Sequence, residues 1–324
     1  MTERSSKTST RTKGLSREQQ AAFFVVFAIV TFTLVGGGLW VAGFALNRAT
    51  PAPAPLRGTS LIYINYDSDT SAYLSAESLL GMGKWIQEQP EPINAQVLTG
   101  MSTSNIAGYM VYQVSAGLQV DCSYCHNVND FSADQMDDPA VTAAKATARE
   151  HLRMSADLNQ NWLTTLGDLS EEKKPSGAQI TCATCHNGRP KFETWEPVAG
   201  LPRDFRLPIG NLDILKVNAR EDIGLETVQY NQYVMYHMNV SMNVGCTHCH
   251  NSRYFPSNER PSKLYALHML QMTEYIQLTY SDVIANKELS CTMCHQGAIL
   301  PPGAAKSVRD VPAVLSSSPP LATQ

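Results

Sequence analysis

From Ala21 to Leu46 the chain runs 26 residues without a charge. At helical rise that length crosses a bilayer with some tilt. The apolar part of a cleaved secretory signal is only about 7–15 residues, closed by a small-residue cleavage site. The pattern therefore predicts a retained transmembrane anchor helix over 21–46. Residues 1–20 carry Arg4, Lys7, Arg11, Lys13 and Arg17 against two acidic residues, a basic tail that stays cytoplasmic and sends the bulk of the chain outward.

After this span the pattern changes. Residues 47–60 alternate Pro51, Pro53 and Pro55 with small residues and read as an extended linker. Apolar residues then recur at three- and four-residue intervals over Ile106–Leu118, Val141–Leu166, Thr227–Asn239 and Lys263–Ile284, which predicts four helices. Only Ser60–Tyr66 reads as a strand, and Pro190–Arg220 is punctuated like an irregular crossing. The predicted fold is mainly α, with a folded body over 61–303. A Ser-, Pro- and Ala-rich stretch, 304–324, reads as a tail that is extended, disordered or laid along a partner. The net charge of −4 gives no reason to expect nucleic acid as a partner.

Cysteine usage changes the picture most. The eight cysteines fall as four pairs, each closed by histidine: Cys122–Cys125–His126, Cys182–Cys185–His186, Cys246–Cys249–His250 and Cys291–Cys294–His295. In Cys-x-x-Cys-His the two thiols lie about one helical turn apart and reach the vinyl groups of one porphyrin, while the histidine ligates its iron. A zinc or thiol-redox site requires no histidine after every second cysteine. The motifs thus predict four covalent haem c groups and leave no thiol for a disulfide or a lipid. Each predicted helix leads into one motif, so helix, turn and motif repeat as two dihaem modules. The compartment beyond the membrane, where bacteria join haem to thiols, agrees with the predicted topology.

Distal ligands are harder to read. Four histidines remain, His151, His237, His248 and His268, of which His248 is the variable residue of a motif. Met110 precedes Cys122 by 12 residues and Met235 precedes Cys246 by 11, a matched spacing. Met154 precedes Cys182 by 28 and Met269 precedes Cys291 by 22, with His151 and Met272 as neighbouring rivals. Methionine on a helix more often packs in a core than binds iron, so spacing alone leaves these alternatives open. Arg149, Arg153, Arg189 and Arg203 could pair with haem propionates.

The chain resembles the tetrahaem cytochrome subunit bound to photosynthetic reaction centres of purple and green filamentous bacteria. The resemblance covers roughly residues 60–300. It lies in Gln96-Val97-Leu98 with Tyr109-Met110, in Met154, Asn159 and Asn161-Trp162, in Thr181 before Cys182, and in Cys294-His295-Gln296-Gly297. It implies two pseudo-symmetric haem pairs in a roughly linear row, with methionine on a preceding helix as the usual distal ligand. Carried over, Met110 serves the first haem, Met154 the second and Met235 the third. Better-known members use a histidine three residues beyond the matching tryptophan for the fourth haem. Thr165 stands there in this chain, so Met269 fills the gap, with Met272, His268 and His151 as competitors. The resemblance further implies an electron carrier, not an enzyme. It would sit on the periplasmic side of the inner membrane against the L and M subunits of the reaction centre. It would re-reduce the photo-oxidised bacteriochlorophyll pair, drawing electrons from a small cytochrome, a high-potential iron–sulfur protein or a blue copper protein. A membrane-anchored tetrahaem quinol dehydrogenase is the alternative, but it relies on His/His ligation that four spare histidines supply poorly. A multihaem reductase of a small oxyanion would need an open iron with acid–base groups beside it, and no such constellation is evident.

Overall fold

The structure, a computed structural model, describes residues 70–172, 175–191, 194–195, 198–216 and 221–317, with Arg17 before them. Apart from Arg17, the predicted basic tail, anchor helix and linker lie outside the described residues, as does Ser60–Tyr66. Among the described residues no helix is long and apolar enough to cross a membrane.

The described chain is mainly helical and contains no strand. Helix α1, Ala76–Glu88, is absent from the sequence reading. It starts where the Ser75 hydroxyl accepts the Ser78 amide, a serine N-cap. Helix α2, Thr103–Tyr109, widens into a π segment, Met110–Ser115, and closes as α3, Ala116–Leu118, at the left-handed Gln119. Helix α4, Pro139–Asp157, begins with proline at its first position, where no amide partner is lost. It too widens into a π segment, Leu158–Leu163. There the Asn159 side chain leaves the helix face to bond the backbone of Ile180 and Leu315. Helix α5 is Cys182–His186, α6 Leu225–Met242, α7 Pro261–Thr279 and α8 Cys291–His295. Among the described residues of the 190–220 crossing the chain is irregular as expected, save for the 3-10 turn Leu212–Leu215.

One order of elements occurs twice. A helix (α2–α3, then α6) leads to a motif in a 3-10 turn, followed by a tight bridge, Asn127 to Asp130 and then Asn251 to Tyr254. A helix of 19 residues with proline first (α4, then α7) follows, and a motif wound as a short α-helix closes the unit. The ties match as well. The Gly188 amide donates to the Gly117 carbonyl at 2.9 Å, and the Gly297 amide to the Ser241 carbonyl at 2.7 Å.

Among the described residues, buried side chains form three small clusters. Leu98, Tyr109 and Leu152 lie in the first half, Phe205, Val234, Met238 and Leu270 in the second, and Leu158, Ile276 and Leu289 at the seam. Asp157 fastens that seam by accepting the hydroxyls of Tyr275 and Tyr280 at 2.9 and 2.8 Å. The predicted tail needs correcting over 304–317. Ala305 and Gln179 exchange both backbone bonds, Leu315 is buried, and Gln113 donates to the Asp310 carbonyl at 2.8 Å. Short apolar residues at 304, 305, 311 and 315 let this segment fill the groove beside α4 and α5, where a polar composition alone suggested a loose end.

Candidate haem sites

The motifs take two local forms. The first and third lie in the 3-10 turns Cys122–Tyr124 and Cys246–His248, the second and fourth in α5 and α8. The α-helical pair end in a left-handed residue followed by a glycine of positive φ, Asn187-Gly188 and Gln296-Gly297. This turn brings the carbonyl three residues on back to the ring: His186 Nδ1 meets the Arg189 carbonyl and His295 Nδ1 the Ala298 carbonyl, both at 3.0 Å. In the third motif the loop is longer, and His250 Nδ1 meets the Phe255 carbonyl at 3.0 Å. A carbonyl only accepts, so each Nδ1 carries the proton and each Nε2 keeps a lone pair for a metal. His126 differs: its Nδ1 is buried with no hydrogen-bond partner, although the Phe131 carbonyl lies on that side.

The electrostatics suit neutral imidazole ligands. Burial, with Lys145 adding to it, pulls His126 down to about 4. Burial, with His151 adding to it, does the same for His186, and burial lowers His295. No disulfide joins any of the eight cysteines, and burial raises Cys182 and Cys291 to about 12. Cys185 and Cys294 bring their sulfurs within 3.1 Å, and Asn187 donates to Gln296 across the same contact, so the second and fourth motifs meet face to face.

Two features of the protein alone fit an added haem. On α6 the side chains of Leu225, Val228, Tyr236 and Val240 are exposed on the sector beside Met235, next to the exposed Cys246. Such an apolar face is costly in water unless something covers it. At the fourth motif the buried His237 accepts the Cys291 amide at Nε2 (3.1 Å), which puts a proton on Nδ1, and that nitrogen has no partner. Both features fit a further group with apolar faces and polar edges.

The distal candidates are distributed unevenly. Met110 packs by the first-half cluster and Met235 by the second-half cluster, each on the helix leading to its motif. Met154 and Met272 lie at the seam, against Leu158, Ile276 and Leu289. Met269 is half-buried on α7 and belongs to none of the three clusters. His151 Nδ1 lies 3.4 Å from His186 Nε2, so the structure brings this rival to the second motif. His268 Nε2 is committed to the Trp162 carbonyl at 2.9 Å and the Thr165 hydroxyl at 3.1 Å, tying α7 to the end of α4. Arg149 pairs with Asp134 and Arg153 with Glu150.

Two groups beside the motifs escape the sequence reading. Lys145, the seventh residue of α4, and Lys263, the third of α7, both reach back to carbonyls of the loops that follow the first and third motifs. Asp121, just before Cys122, gathers Ser75, Ser78 and Ser123. The repeated Cys-His-Asn-x-x-x-Phe at Cys125–Phe131 and Cys249–Phe255 is the signal that points to those loops.

A mainly helical chain in which four thiol pairs each precede an imidazole, three of them oriented by a backbone carbonyl, is a c-type cytochrome, the class that binds haem c covalently through its thiols and ligates the iron. The family model described as "Photosynthetic reaction centre cytochrome C subunit" matches residues 72–201 and 223–313, and the chain belongs to that family. It is 28% identical over 258 residues to "Cytochrome c-554" of Chloroflexus aurantiacus, covering 60% of this chain and 58% of that one. It is 24% identical to the "Photosynthetic reaction center cytochrome c subunit" of Rubrivivax gelatinosus, covering 59% and 61%. Against the protein of the same name from Roseobacter denitrificans it is 25% identical, covering 88% and 85%. The chain thus spans about three fifths of the length of the first two relatives.

Proposed function

We propose that the chain is the electron-transfer subunit of a photosynthetic reaction centre, re-reducing the photo-oxidised bacteriochlorophyll pair through four c-type haems with electrons from a soluble donor. The observation behind this is the set of four buried or half-buried imidazoles, each after a thiol pair, in a chain of the reaction-centre cytochrome family. Each haem, when bound, supplies a one-electron iron couple whose potential the protein sets. Cys122 and Cys125, Cys182 and Cys185, Cys246 and Cys249, and Cys291 and Cys294 hold the porphyrins. His126, His186, His250 and His295 are the proximal ligands. Met110, Met154, Met235 and Met269 are the distal ligands, with His151 the competitor at the second iron because it faces His186.

The twice-repeated order of elements supports two pseudo-symmetric dihaem modules, and the Cys185–Cys294 contact supports neighbouring second and fourth haems at the middle of the row. Residues 21–46 hold the chain to the inner membrane, with residues 61–303 on the periplasmic side against the L and M subunits. The donor is a small cytochrome, a high-potential iron–sulfur protein or a blue copper protein. The approach of His151 to His186, which would give His/His ligation at the second iron, is the one feature that favours a quinol dehydrogenase instead.

The test is a microsecond flash on membranes with the haems pre-reduced, following the haem α-band and the bacteriochlorophyll bleach together. Haem oxidation should keep pace with recovery of the bleach. Haems that stay reduced while the bleach recovers would overturn the proposal.

A further inference from the structure

The two halves treat one backbone carbonyl differently. After the third motif, the Phe255 carbonyl accepts His250 Nδ1 at 3.0 Å and also the Lys263 ammonium at 3.1 Å. The same ammonium bonds the carbonyls of Pro256 and Ser257 at 2.7 and 3.0 Å. After the first motif, the Phe131 carbonyl accepts the Lys145 ammonium at 3.0 Å, and the buried His126 Nδ1, although this carbonyl faces it, falls short of hydrogen-bond geometry. Lys145 is itself buried, held also by the Ala133 carbonyl, with the Asp134 carboxylate 3.6 Å away. In the second and fourth motifs the accepting carbonyls, Arg189 and Ala298, take the imidazole alone among the described residues.

A proximal histidine that donates a strong bond from Nδ1 gains electron density and stabilises the oxidised iron; a weak or missing bond does the reverse. A cation on the accepting carbonyl weakens that bond and adds its own field, and both effects favour the reduced iron.

We propose that Lys145 is a positioning residue that takes the Phe131 carbonyl away from His126 and so raises the potential of the haem at the first motif, while Lys263 shares its carbonyl and acts on the third motif by charge. The structural alternative is that both lysines merely close their loops. The inference rests on the reading that His126 and His250 ligate haem iron.

The test is Lys145→Met in the full chain, with haem counted by pyridine haemochrome and the four components resolved by spectroelectrochemical titration. One component should fall by about tenfold in its reduction equilibrium, as for a unit charge removed from a site of effective dielectric near 20; for one electron that is 59 mV. The other three should hold, and a histidine Nδ1 proton should gain protection from exchange as His126 reaches the freed carbonyl. An unchanged potential with all haems present overturns the proposal, as does an equal shift in all four. If Lys145→Met loses its haem, Lys145→Gln and Lys145→Arg decide. A fall with Gln and none with Arg supports the proposal, and equal behaviour of the two sinks it. Fewer than four haems in the unmodified chain would instead remove the underlying ligand reading.

Discussion

The two halves share an order of elements yet are closed by different means. In the first half, α3 approaches α5 at Gly117, where an added β carbon would stand 2.9 Å from the Ala183 amide nitrogen. In the second half, α6 meets α8 at Ser241, whose hydroxyl bonds that of Thr292 at 2.7 Å. One contact is a close approach of backbones and the other a side-chain hydrogen bond, although both end in the same tie to a glycine amide. The first half is also wrapped: α1 is fastened to its first motif by Asp121, and the segment after Gly303 crosses its second motif. Position 245, the counterpart of Asp121, is glycine, and it brings no such bonds. A duplicated plan can thus keep its motif geometry while the surrounding supports diverge.

The largest effect should come from breaking the wrap. A β carbon on Gly303 would fall 2.2 Å from the Ala183 carbonyl oxygen and 2.7 Å from the Thr184 amide nitrogen, all backbone that cannot rotate aside. Gly303→Ala should cost about 3 kcal/mol or more, at or beyond the upper end of ordinary overpacking. It should also displace the carbonyl that accepts the hydroxyls of Thr181 and Thr184. Guanidinium unfolding followed by circular dichroism measures the loss. A midpoint within error of the unsubstituted chain would show that the crossing segment has room to move.

Exchanging the two closures sharpens the comparison. Gly117→Ala should cost about 2 kcal/mol through overpacking against α5. Ser241→Ala, which deletes one neutral hydrogen bond and leaves the Thr292 hydroxyl to find another partner, should cost about 1 kcal/mol. Equal losses from the same unfolding measurement would mean that the helix approaches are equivalent after all.

How much of this could be read in advance depends on the scale of the signal. The four long helices were legible because their apolar spacing extends over several turns, and the motifs because porphyrin attachment leaves little freedom in spacing. The π segments were not legible, because a widened turn is set by tertiary demands such as those on Asn159, whose side chain serves Ile180 and Leu315. Helix α1 was missed since its apolar residues, Leu79 and Leu80 among them, stay exposed and give only a weak stripe. Residues 304–317 were misjudged because their composition is that of a tail, while their bonds go to Gln113, Asn159 and Gln179, residues 126 or more positions distant in sequence. The proximal histidines were legible from the motif. Their outer partners are carbonyls, which carry no sequence identity, so the roles of Phe255 and Lys263 needed coordinates.

The last expected effect, no larger than that of Ser241→Ala, concerns acid, and it should fall on one half alone. Asp121 is partly buried, which by itself would raise its carboxyl. The Ser78 hydroxyl, the Ser75 amide and the hydroxyls of Ser123 and Ser75 together outweigh that and hold it well below the usual carboxylate range. A carboxyl lowered by folding contributes stability above its unfolded value, about 3.9, and loses it as pH falls through the folded value. Because solvent still reaches the group, Asp121→Ala should cost only about 1 kcal/mol at pH 7. That gap should narrow from pH 5 downward and still be narrowing at pH 3, since the unfolded chain then binds the proton that the folded Asp121 refuses. Thermal melts of both proteins at pH 7, 5, 4 and 3 would follow it. A gap that stays constant would mean that Asp121 acts through packing and not through its charge. Because Gly245 brings no carboxylate to the matching place, the same series on a Gly245→Ala chain should show no narrowing, which confines this acid response to the first half.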